Sequence, residues 1–147
     1  MSDASKVQGT PYQPVTTPGP RNDEVNEPYW AHCNAHQLCF QKCGDCGHLV
    51  HPPLPVCPAC QSVHRTWQEA PAEGEVYSFV WVHTAAHDSV RESLPYNVAL
   101  VRFPAMPGVR LVSNVVNVAE GELAIGDRVT LVWEEGQNGQ QVPRFRK

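Results

Sequence analysis

Two Cys-x-x-Cys pairs, Cys43/Cys46 and Cys57/Cys60, stand ten residues apart in the stretch KCGDCGHLVHPPLPVCPAC. No other feature restricts the backbone so severely: this spacing lets each pair bring two thiolates to one cation, and two pairs complete a tetrahedron. Gly44 and Gly47 suit the tight knuckle in which amides turn toward sulfur, and Pro58 stiffens the second knuckle. Four thiolates close the coordination shell and leave no position for water or substrate, so the pattern predicts a structural clamp, most simply around Zn²⁺. A rubredoxin-like iron site uses the same ligands, and spacing alone does not separate the two metals. A thioredoxin-like dithiol fits poorly, because it needs one pair beside a βαβ unit.

The rest of the chain is read around that clamp. With 147 residues it can bury one ordinary core, or a small core plus a stapled module. Residues 1–26 are rich in Pro, Thr, Gln, Asn and Asp and nearly free of large apolar side chains, which predicts a flexible arm. In NEPYWAHCNAHQ, Asn26 is placed to cap a short helix with Pro28 in its first turn, and Tyr29, Trp30 and Cys33 share one face. LCFQKC reads as a strand entering the first knuckle.

Beyond the cysteines the texture changes. Residues 75–83, 96–103, 109–116, 127–135 and 140–146 are five β-rich runs separated by turn residues, which predicts a small closed or nearly closed barrel. The first run sets Val76, Val80 and Val82 against Tyr77, Phe79 and Trp81. One face would fill the barrel, and the other needs a cover: the metal module, the helix or another chain.

A net charge of -4 argues against general binding of nucleic acid or anionic membrane, which relies on clustered Lys and Arg. No apolar run approaches membrane-spanning length and the start lacks a signal-peptide core, so the expected setting is cytoplasmic and reducing. Cys33 and Cys39 read as small buried hydrophobes. His48 and His51 lie in the ribbon loop, where four cysteines already suffice, and His83 and His87 read as solvated loop residues. Arg102, Arg110, Arg128, Arg144, Arg146 and Lys147 read mostly as solvated strand-face residues, with a few able to converge on the phosphates of a coenzyme. No nucleophile elbow, phosphate-binding glycine loop or paired carboxylates are visible.

The order ProTyrTrp, CxxCG, HisProPro, CPxC, GlyGluValTyrSerPhe, ProTyrAsnValAlaLeuVal, GlyValArgLeuValSerAsn, IleGlyAspArgValThrLeu and ProArgPheArg resembles the zinc-ribbon/OB-fold proteins of acyl-CoA metabolism, the domain-of-unknown-function 35 family. The resemblance runs from about Glu27 to Lys147. It implies a mainly β fold: an N-terminal helix and rubredoxin-like zinc ribbon over 27–68, then a five-stranded OB-fold domain over 69–147. It further implies a chain that does not catalyse alone, a small subunit docked on a thiolase-fold large subunit and helping to form its acyl-CoA site. Acyl-CoA thiolase or acyltransferase complexes come first, a thiolase-like aldolase second, and an acyl-CoA hydratase is a further partner. Carried over by position, the zinc ligands are Cys43, Cys46, Cys57 and Cys60, with CoA shared with the partner. Tyr29, Trp30, His51, Pro52, Pro53, Pro95 and Tyr96 match recurrent family positions, which implies either a place at the interface or along the pantetheine path, or simple packing of ribbon on barrel. An independent OB-type nucleic-acid module is the rival, disfavoured by the acidic balance.

Overall fold

The structure is a computed structural model and describes residues 19, 20 and 23–147. Most of the arm expected over 1–26 therefore lies outside the described residues. Helix α1 spans Glu27–Asn34 with Pro28 in its first turn. Asn26 occupies the N-cap but makes no side-chain cap bond, contrary to the expectation from sequence. Its amide group instead donates to Asp23 Oδ1 (2.9 Å), which also accepts from the backbone N–H groups of Val25 and Asn26. The turn at Asp23 has taken over the polar group that would have capped the helix.

The ribbon is a three-stranded antiparallel sheet in the order β2-β1-β3, made of β1 (Cys39–Cys43), β2 (Leu49–Val50) and β3 (Arg65–Glu69). Buried Gln41 on β1 pins the long loop between the knuckles. Its side-chain amide donates to Leu54 O (2.9 Å) and its carbonyl oxygen accepts from Leu54 N (3.0 Å), so a polar residue inside the ribbon is satisfied at both ends.

The barrel comprises β4 (Glu73–Val82), β5 (Tyr96–Arg102), β6 (Arg110–Ser113), β7 (Val115–Val116), β8 (Arg128–Glu135) and β9 (Gln141–Arg146). Sheet order is β6-β5-β4-β8-β9-β7. Because β6 and β7 are one run broken at Asn114, the order closes on itself into a five-stranded barrel with a parallel β7–β9 pairing. Asn97 secures the closure: Nδ2 donates to Val115 O (2.7 Å) and Oδ1 accepts from Val115 N (2.8 Å). A side chain thus replaces ladder bonds where the strand kinks.

Strand β4 serves both halves of the barrel, pairing with β8 through Glu73–Glu75 and with β5 beyond. Gly74 permits that crossing, since a Cβ there would stand 2.5 Å from Val101 Cγ1. A register shift between Val76 and Ser78 bulges the strand at Tyr77. Simple alternation is therefore wrong past this point: Val76 is fully buried, whereas Phe79 and Trp81 pack against the core and Val80 turns outward, 60% exposed.

One core joins the parts. Phe40 of the ribbon meets Phe103 (5.4 Å between ring centroids), which meets Phe145 (6.2 Å). Helix α1 and the turn after it bridge the same seam, placing His32 against Trp67 of β3 and His36 in a stack on Trp133 of β8. Cys33 and Cys39 are buried, as read from sequence.

Candidate metal centre and interface cleft

The two knuckles bring the ligand atoms of Cys43, Cys46, Cys57 and Cys60 within 4.8 Å of one another. Cys43 Sγ lies 3.6 Å from Cys60 Sγ, and Cys46 Sγ 3.7 Å from Cys57 Sγ. A tetrahedron with metal–sulfur bonds of about 2.3 Å has edges of about 3.8 Å, so this donor set fits one thiophilic divalent ion. By itself the fold lowers one thiol of the set, Cys43, and raises those of Cys46 and Cys60. Backbone N–H groups of Cys46 and then Asp45 face Cys43 and hold its thiol down to about 6, with Cys46 N at 3.5 Å. Gly47 supplies the positive φ (75°) that closes the first knuckle, and Asp45 ties it to the chain leaving the second through Ser62 (2.5 Å) and His64 (3.0 Å). A bound ion would cross-link two loops of one sheet; the arrangement holds structure and offers no open coordination site.

Five of the residues singled out by sequence line one cleft of ≈ 260 Å³ between helix, ribbon loop and barrel: Tyr29, Trp30, His51, Pro52 and Pro53. Tyr29 and Trp30 meet edge to face at 4.9 Å. His51 lies 5.0 Å from Tyr29 and 5.1 Å from Phe40, and burial pushes its pKa from about 6.5 down to about 4. Among the described residues its Nδ1 is buried without a hydrogen-bond partner, an unmet polar need beside two aromatic rings. Burial also drives the Tyr29 hydroxyl well above its ordinary range. Pro95 and Tyr96 do not line this cleft; Pro95 precedes β5 and Tyr96 opens it, paired with Val82.

Sequence reasoning missed the barrel's side of the cleft, Leu111, Val112, Pro143 and Arg144. Arg144 is no solvated strand-face residue: its side chain is 12% exposed and its Nε donates to Glu134, itself 8% exposed, at 3.3 Å. Removing either partner would strand a buried charge. The terminal ProArgPheArg motif was the available signal. His83, by contrast, forms an exposed pair with Glu120 (3.0 Å), and His87 caps a 3-10 turn over Asp88–Ser93 by accepting from Ser89 N.

A closed four-cysteine knuckle pair packed on a five-stranded barrel with parallel closure defines a zinc-ribbon/OB-fold protein. The zinc-ribbon model of ChsH2, described as a rubredoxin-like domain, matches residues 30–63, and the C-terminal OB-fold model of ChsH2 matches residues 67–134. A solved "Ltp2-ChsH2(DUF35) aldolase" chain is 35% identical, with a TM-score of 0.79 over 87% of this chain and 98% of that one. The chain belongs to the DUF35 family of zinc-ribbon/OB-fold proteins. A curated "DUF35 domain-containing scaffold protein" of Methanothermobacter thermautotrophicus is 28% identical over 75% of this chain and 85% of its own length. A "Probable enoyl-CoA hydratase alpha subunit" of Thermomonospora curvata is 34% identical over 96% of this chain, which spans only 43% of that protein. Among the described residues no helix is long and apolar enough to cross a membrane.

Proposed function

We propose that this chain is a non-catalytic accessory subunit that docks on a thiolase-superfamily enzyme and helps form its acyl-CoA site. The observation that carries the reading is the 35% identity to a chain of the "Ltp2-ChsH2(DUF35) aldolase", matched over 98% of that chain. That relative belongs to an aldolase, which favours carbon–carbon cleavage of the aldol type over CoA thiolysis as the partner's reaction. Residues 27–68 act as the docking module, stiffened by Zn²⁺ on Cys43, Cys46, Cys57 and Cys60, and residues 69–147 as the OB-fold domain.

The Tyr29–Trp30–His51 cleft suits this role chemically. Its walls are aromatic and proline-rich, the buried His51 nitrogen can accept a hydrogen bond, and Arg144 adds a cation to the lining. Such a surface takes an amide-bearing chain, whether a partner's loop or a pantetheine arm. A second reading, a module of an acyl-CoA hydratase subunit, is favoured by the 34% identity to the hydratase alpha subunit.

The test is reconstitution. A large subunit purified with this chain is stripped of it, then supplied with wild type or Trp30→Ala, and complex formation is measured by analytical ultracentrifugation. Wild type restores the hetero-oligomer and cleavage of the acyl-CoA, and Trp30→Ala weakens association. Unchanged association with Trp30→Ala removes the cleft from the interface.

A further inference from the structure

The outer face of the barrel carries a second cleft, ≈ 430 Å³, at the end of β4, β5 and β6. Arg102 and Arg110 face each other there as a cross-strand pair, an arrangement that like charges oppose. The two are held differently. Arg102 Nη2 donates to Glu75 Oε1 at 2.6 Å, while Arg110 lies over the Tyr77 ring, its Cζ 3.9 Å from the centroid, with Arg102 Cζ at 6.0 Å. The bulge at Tyr77 is what turns that ring out to meet them. Among the described residues nothing accepts a hydrogen bond from the Arg110 guanidinium. The cleft therefore holds one surplus positive charge on a chain of net charge -4, presented by a guanidinium fixed against a ring with its donors unused.

We propose that this cleft binds the phosphates of a nucleotide, and, resting on the acyl-CoA reading above, that the nucleotide is the phosphorylated head of coenzyme A. A planar fork held on an aromatic face is organised for bidentate contact with a phosphate oxygen pair, and Pro104 and Pro107 give the cleft apolar walls beside it. Glu75 stays on Arg102 and limits the anion to Arg110 and the free edge of Arg102. The two clefts adjoin along β6. Val112, two residues from Arg110 and on the same outer face, lines the Trp30–His51 cleft. That separation is about 7 Å, well within the reach of a pantetheine arm. A single extended ligand thus meets cations at one end and the aromatic cleft at the other.

Isothermal titration calorimetry on the full zinc-loaded chain tests this with three probes: adenosine 3′,5′-bisphosphate, coenzyme A and inorganic phosphate. Wild type binds the first two, and affinity for both falls on raising salt. Arg110→Ala weakens both at least about tenfold, Arg110→Lys keeps only part of the affinity, and Trp30→Ala weakens coenzyme A alone. Circular dichroism confirms that each variant is folded. No saturable binding of the bisphosphate, or binding unchanged in folded Arg110→Ala, overturns the proposal. Inorganic phosphate binding as tightly as the bisphosphate overturns the nucleotide assignment. Loss of an acidic protein partner in Arg110→Ala, with no nucleotide binding by wild type, makes the patch a protein contact and also overturns it. Bisphosphate binding as predicted, with no thiolase-fold partner recovered, sinks the accessory-subunit reading and leaves this site standing.

Discussion

Acidification isolates the part His51 plays in the first cleft. Its ring sits between Tyr29 and Phe40, Nδ1 has no partner among the described residues, and burial lowers its pKa from about 6.5 to about 4. The fold accepts only the neutral ring, whereas the unfolded chain takes up a proton through the ordinary imidazole value. With the folded pKa depressed, the associated stability is fully present above about pH 6.5 and is lost as pH falls toward about 4. At about 1.4 kcal/mol per pH unit the complete loss is about 3 kcal/mol, and between about pH 7.5 and pH 5.5 it is about 1 kcal/mol. The upper window is the useful one, since thiolate protonation and zinc release dominate at lower pH. Urea unfolding of wild type and His51→Leu, both with saturating zinc, is compared at about pH 7.5 and pH 5.5. Wild type loses about 1 kcal/mol more than the leucine variant, in which contributions from the metal site cancel. Equal losses in both proteins refute the argument, because they would mean that His51 protonates as readily in the fold as outside it.

Other consequences follow from single contacts. Cys57→Ser takes zinc, read by atomic absorption, from about one per chain toward none, and the ribbon becomes protease-sensitive before the barrel does. Asn97→Ala leaves the Val115 N–H and C=O unsatisfied at the strand kink and lowers unfolding free energy by about 2–4 kcal/mol in urea; a loss under about 0.5 kcal/mol contradicts the role given to Asn97. Gly74→Ala drives a methyl group against Val101 Cγ1 and destabilises by about 1–3 kcal/mol, visible as a lower melting temperature with zinc content unchanged.

Much of this molecule could be read in advance because two of its signals are local. Metal-ligand spacing is set by knuckle geometry, and five β-rich runs between turn residues leave few alternatives to a small barrel. Of the seven contact residues that the ordered motifs grouped, Tyr29, Trp30, His51, Pro52 and Pro53 line one cleft, whereas Pro95 and Tyr96 lie outside it. What escaped depends on pairing across distance. Arg65–Glu69 is a polar run whose extended form comes from its register with β1, and nothing in RTWQE announces it. Arg144 reads as a surface cation until β9 lays it beside Glu134. The Tyr77 bulge inserts one residue that reverses which side chains face the core, and period-two patterning has no symbol for it. The same bulge creates the Arg110–Tyr77 contact, so that cleft was invisible for the same reason.

Affinity capture of the tagged chain from its native extract, with native mass spectrometry of what elutes, tests the central claim most directly. The account predicts a thiolase-fold subunit in fixed stoichiometry, with one zinc ion per small chain. A chain that elutes alone, or with nucleic acid, contradicts it.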